Sequence, residues 1–141
     1  MTFDKVIKNF GNRSLSLKDV RRYLDAGGDI NHHGGGLSWT LLHFAAEDCE
    51  PEIIRLLAAR GADLNAQDQN GYTPLHLAVD SDMDSSSRGG RRATELPTVW
   101  ALIELGADEM VRAADGATPR DIAVRYGQEA LYDSLLRLRT A

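Results

Sequence analysis

The chain of 141 residues is 43% hydrophobic, enough to bury one sizeable core, while aromatics at 6% beside plentiful Ala and Leu favour closely packed short helices over sheets. Its 21 acidic and 16 basic residues give a formal charge of −5 with no basic tract that could neutralise a run of phosphates, so nucleic acid is excluded as the expected partner. Cys49 is the one cysteine, which excludes an internal disulfide, and no stretch approaches membrane-spanning length.

The first residues, Met1-Thr2-Phe3-Asp4-Lys5, lack a cationic segment followed by an apolar run, and a cytoplasmic location is expected. Phe3, Val6, Ile7 and Phe10 recur at helical spacing before Gly11, which predicts a short amphipathic helix. Ser16, with Asp19 three places on, reads as the cap of a second helix carrying Leu17, Val20 and Leu24. That helix closes in Asp25-Ala26-Gly27-Gly28-Asp29-Ile30-Asn31. The phrase returns as Ala59-Arg60-Gly61-Ala62-Asp63-Leu64-Asn65 and, less well, as Glu104-Leu105-Gly106-Ala107-Asp108-Glu109-Met110. Gly27, Gly61 and Gly106 stand where a helix needs a left-handed residue to stop.

A second phrase recurs between these stops. Thr40-Leu41-Leu42-His43-Phe44-Ala45, Thr73-Pro74-Leu75-His76-Leu77-Ala78 and Thr118-Pro119-Arg120-Asp121-Ile122-Ala123 each begin with a capping threonine and open an apolar helical face. The first two lie 33 residues apart and the last two 45, the same period lengthened by 12. Inner helices are predicted from Thr40 to Glu47, from Thr73, and from Thr118 to Tyr126. Outer helices are predicted over Pro51–Ala58, Pro97–Leu105 and Glu129–Leu138. The stretch 80–96, small, polar and charged, reads as an inserted flexible loop that is dispensable for folding.

A period near 33 with Thr-Pro-Leu-His-x-Ala resembles the ankyrin repeat. The resemblance covers most of residues 15–138 and is strongest over 36–79 and 104–127. It implies an all-α solenoid of helix-turn-helix units with projecting β-hairpin loops, as a single domain over 1–141. Residues 1–35 form an N-terminal capping repeat, 36–66 a regular repeat, 67–110 a repeat holding the inserted loop, and 111–141 a C-terminal capping repeat. Leu41 at the usual Pro place, Cys49 at a usual Gly, and Arg120 and Asp121 at the usual Leu and His are the departures. The first hairpin, His32 to Trp39, is one residue longer than the next and glycine-rich, so it is expected to be the more mobile.

Candidate chemistry is sparse. The resemblance makes His43 and His76 internal struts between neighbouring repeats, while His32 and His33, adjacent on the first hairpin with no Cys and no third ligand at metal spacing, read as facing solvent or a partner. Asp80, Asp82 and Asp84 have the alternation of a calcium loop, yet Ser85 stands at its glycine place and Arg91 at its bidentate glutamate. Cys49 reads as a packing residue, Gly34-Gly35-Gly36 lacks the context of a phosphate loop, and no nucleophile, base and orienting group share a motif. No cofactor is expected, and no enzyme. Trp100 aligns with Arg55 on the outer helix, where either the long loop folds over its indole or a partner meets it.

Over these 141 residues binding itself is therefore the expected function: masking, inhibiting or scaffolding a protein partner, in its sharper form as an immunity-type inhibitor of a toxin. A calcium- or metal-dependent enzyme or switch is the competing class. The free chain is expected to be a monomer and the partner surface basic. Register along the concave face selects Trp39, Tyr72 and Ala117, one place before each threonine. Seven and eight places after each threonine it selects Glu47 and Asp48, Asp80 and Ser81, then Arg125 and Tyr126.

Overall fold

The computed structural model describes residues 1–8, 14–87 and 96–140. Among the described residues there are eight helices: α1 (Phe3–Ile7), α2 (Leu17–Asp25), α3 (Leu41–Glu47), α4 (Pro51–Ala59), α5 (Pro74–Ser87), α6 (Pro97–Leu105), α7 (Pro119–Arg125) and α8 (Glu129–Thr140). All four prolines begin a helix, where the fixed φ fits and the missing N–H would have had no partner. Thr2, Ser16, Thr40 and Thr118 accept backbone N–H groups of the first turns they precede. Gly27, Gly61 and Gly106 are left-handed, at φ 87°, 88° and 99°, and the next residue's N–H returns to a carbonyl of the finished helix in each case.

The helices form two rows. The inner one runs α3, α5, α7 and the outer one α2, α4, α6, α8; neighbours in each row pack together, α3, α5 and α7 pack across on α4, α6 and α8, and α1 packs on α2. Leu41, Leu42, Ile53, Ile54, Leu57, Leu75, Leu102 and Ile103 are buried between the rows, close-packed like the interior of any folded domain. Side chains also reach from one repeat to the next. Asn31 accepts the Asp63 N–H at 2.9 Å, and Asn65 accepts the Asp108 N–H at 2.8 Å, which is why the closing phrase ends in asparagine. The hairpins stack as well: the Gln69 N–H donates to the Leu37 carbonyl and the Ala114 N–H to the Asn70 carbonyl, each at 2.9 Å. A Cβ on Gly71, at φ 79°, would meet the Ala114 nitrogen at 2.7 Å, so this turn tolerates glycine alone. The only β pairing among the described residues is the isolated antiparallel bridge Gly34–Trp39.

Three expectations change. The stretch read as a flexible loop from Asp80 is helical through Ser87, because Met83 is buried in the core and Asp82 is buried against α6; Leu96 at its far end is buried too. Residues 88–95 lie outside the described residues. The first helix is shorter than its apolar spacing suggested, and Phe10 and Gly11 lie outside the described residues. The first hairpin is tied down: besides the Gly34–Trp39 bridge, the His33 ring bonds to the Ser38 carbonyl at 2.8 Å through Nδ1.

Candidate interaction surface

The repeated histidine builds the floor of the surface. The Thr73 N–H donates to His76 Nδ1 at 3.1 Å, so this nitrogen carries no proton and Nε2–H donates onward to the Ala117 carbonyl at 2.8 Å. His43 does the same one repeat earlier, taking the Thr40 N–H at 3.1 Å and giving Nε2–H to the Tyr72 carbonyl at 2.8 Å. Burial pushes both imidazoles below their ordinary value, which keeps them neutral struts. Each histidine thereby fixes the hairpin residue of the following repeat.

Tyr72 leaves its hairpin at that fixed point and, with Tyr126 from the end of α7, borders a cavity of about 220 Å³. Leu77 and Ile122 supply its apolar lining, and Asp80 and Arg125 its charges. The Tyr72 hydroxyl donates to Asp115 Oδ2 at 3.1 Å, and Arg125 reaches the same oxygen at 3.4 Å. Tyr126 donates its hydroxyl to Asp80 Oδ1 at 2.9 Å. The Ala117 N–H, Tyr72 and Arg125 together hold the Asp115 carboxyl below its ordinary value, in that order of effect.

Four of the residues selected by register, Tyr72, Asp80, Arg125 and Tyr126, thus meet at one cavity. Glu47 and Ser81 lie beside them, the Ser81 hydroxyl donating to Glu47 Oε2 at 3.0 Å. Burial, followed by the nearby carboxylates Asp80, Asp48 and Asp84, pushes Glu47 up against the pull of Ser81. Asp48, half-buried, turns instead to the first repeat, accepting the Leu15 N–H. Trp39 is 9% exposed; its indole N–H donates to Asp68 Oδ2 at 2.9 Å and its ring packs edge-on against Phe44, so it braces its hairpin. Ala117 is buried and contributes its carbonyl to His76.

Leu77, Ile122 and Asp115 were not selected by register. Leu77 and Ile122 hold the fifth place of the recurring hexapeptide, so the variable letter of that phrase was the available signal. Phe44 holds the same place and lines a second, apolar cavity of about 340 Å³ with Ile7, Leu37 and Trp39.

Asp82, one of the three alternating aspartates, is on α5 and 3% exposed. Its Oδ2 accepts the Thr98 and Val99 N–H groups at 3.0 Å each, capping α6, whose own N-cap Leu96 has no side chain for the task. The Cys49 thiol donates to its Oδ1 at 3.5 Å. Burial pushes the Asp82 carboxyl up, and these donors draw it part of the way back. Among the described residues no three His, Cys, Asp or Glu side chains stand together as a metal site, and no helix is long and apolar enough to cross a membrane. His32 packs edge-on against Phe3, and Trp100 is half-buried whereas Arg55 is exposed and paired with Glu104 at 3.2 Å.

Comparison with known proteins agrees with this geometry. A family model described as ankyrin repeats (3 copies) matches residues 12–87, more than half of the chain, and a single ankyrin-repeat model matches 70–113. The chain is 32% identical over 113 residues to a putative ankyrin repeat protein of Rickettsia felis, covering 78% of this chain and 46% of the relative. It is 34% identical over 113 residues to human neurogenic locus notch homolog protein 4, covering 80% and 5%. With rat protein phosphatase 1 regulatory subunit 12A it shares 39% over 67 residues, covering 46% and 6%. The chain spans less than half the length of each of these relatives. With its Thr-Pro-Leu-His phrases, its histidine struts and these matches, the chain belongs to the ankyrin-repeat family.

Proposed function

We propose that the chain is a non-enzymatic protein-interaction module that binds its partner through the surface between hairpins and inner helices. The observation that carries this reading is the convergence of Tyr72 and Asp80 from one repeat with Arg125 and Tyr126 from the next on a single cavity. Two aromatic anchors beside exposed charges are what a contact surface requires. Relatives whose names describe a regulatory subunit and a corepressor-like protein point the same way. The narrower form is occlusion: a small acidic chain, net charge −5, masks or inhibits a partner with a basic surface, as an immunity protein does to a toxin. We place it in the cytoplasm and as a monomer when free.

The test is capture of the partner from the native host, followed by affinity measurement with variants. Tyr72→Ala should weaken the complex by at least about 1 kcal/mol, as truncated anchors do. Arg125→Glu should also change affinity, whereas Glu52→Lys on the outer row should leave it unchanged. Loss of binding with Glu52→Lys but not with the groove variants would place the partner on the outer row and refute the reading.

A further inference from the structure

The charges at the rim of the Tyr72–Tyr126 cavity are unequally committed. Arg125 lies against Asp115, which also receives the Tyr72 hydroxyl, so this cation already has its counter-charge. Asp80 is exposed and takes one hydrogen bond, from Tyr126, and pairs with no cation among the described residues. A carboxylate offers about four lone-pair sites. Below it lie the apolar side chains of Leu77 and Ile122, and a tyrosine ring borders the space from each repeat. Beyond it stands Glu47, a second carboxylate close enough to feel the charge of Asp80.

We propose that this cavity receives an arginine side chain of the protein partner, with its guanidinium on Asp80 and its methylene stem along Leu77 and Ile122 between the two tyrosines. The assignment rests on the interaction reading above and names the chemistry of its central contact. Arginine fits better than lysine because a planar fork matches a carboxylate in two bonds and stacks on an aromatic face, while an ammonium keeps its water more tightly. A carboxylate ligand would have to displace Asp115 from Arg125 and enter beside Asp80 and Glu47, against like charge. An uncharged apolar side chain would cover Asp80 without giving it a counter-charge.

The test is a nuclear magnetic resonance titration of the full chain with N-acetyl-arginine N-methylamide, its lysine counterpart and its uncharged citrulline counterpart. The arginine probe should shift resonances of Leu77, Asp80, Ile122 and Tyr126 as a group. Citrulline should bind about tenfold more weakly or not at all, as should arginine with the Asp80→Asn variant, because one charge-assisted pair is lost in each. Glu52→Gln on the outer row should leave the titration unchanged. Scattered shifts, equal binding of citrulline or lysine, or indifference to Asp80→Asn would overturn the proposal. With the captured partner, sensitivity to Tyr72→Ala but not to Asp80→Asn would overturn the arginine site and leave the groove reading standing. Indifference to every groove variant would overturn both.

Discussion

Asp82 holds an ionisable group away from solvent to finish a helix that is not its own. Asp82→Ala leaves the Thr98 and Val99 N–H groups buried without an acceptor and should lower stability by about 1–2 kcal/mol, measured by thermal or urea unfolding. Asp82→Asn keeps an accepting oxygen while removing a buried charge and should cost less. Cys49, next to it, sits at φ 54°, a left-handed conformation in which a β-carbon is strained. Cys49→Gly should therefore be more stable than Cys49→Ala by roughly 1 kcal/mol, both lacking the thiol contact to Asp82. His43 and His76 supply a pH dependence. Their folded values lie below 6.5, so the stability they contribute is fully present above 6.5 and is lost as pH falls through the lowered values, the unfolded chain binding more protons there. Unfolding free energy should fall on acidification below 6.5, and less steeply in the double variant His43→Gln, His76→Gln. Glu47 and Asp82, pushed upward, act in the opposite sense, losing stability as pH rises through their folded values; Asp121 and Asp133, held low, act only in stronger acid.

At the scale of elements, α5 separates what could be read from the residues from what could not. The repeated threonine, proline and glycine gave the starts and stops of most helices because those signals are local: a cap, a fixed φ, a left-handed turn. Asp80 to Ser87 carries no such signal, and its serines and aspartates favour turns when judged alone. Burial decides it instead. Leu75, Val79 and Met83, four apart, make one buried stripe, and that spacing was present in the sequence. Met83→Ala should cost about 2–4 kcal/mol in urea unfolding, as for other buried methionines, and replacing residues 80–87 by a short turn should destabilise the whole chain. The candidate surface divides the same way. Register located Tyr72, Asp80, Arg125 and Tyr126 because it follows from periodicity, but it could not foresee that Asp68, 29 residues on, bonds the Trp39 indole and keeps it inside.

In the molecule as a whole, two kinds of side-chain bond recur from one joint between repeats to the next: a histidine that reaches the next hairpin and an asparagine that holds the next loop. Stability in such a stack is a sum of repeat terms and neighbour terms, so loosening one joint should act locally first. His76→Ala should raise amide hydrogen exchange in α7 and α8 more than in α3 and α4, and His43→Ala should reverse the ranking toward the first two pairs. The fourth pair differs from the others in what it offers onward. Asp121 turns back to take the Thr118 N–H at 2.8 Å, and Met110 stands where Asn31 and Asn65 supply an amide. In the vocabulary of polymer growth, the interior repeats have a donor end and an acceptor end, whereas in this pair the side chain at the histidine place has closed on its own turn. Duplicating a repeat between α3 and α6 would find matching joints on both sides. Adding one beyond α8 would find neither the histidine nor the asparagine joint until Asp121→His and Met110→Asn had restored them.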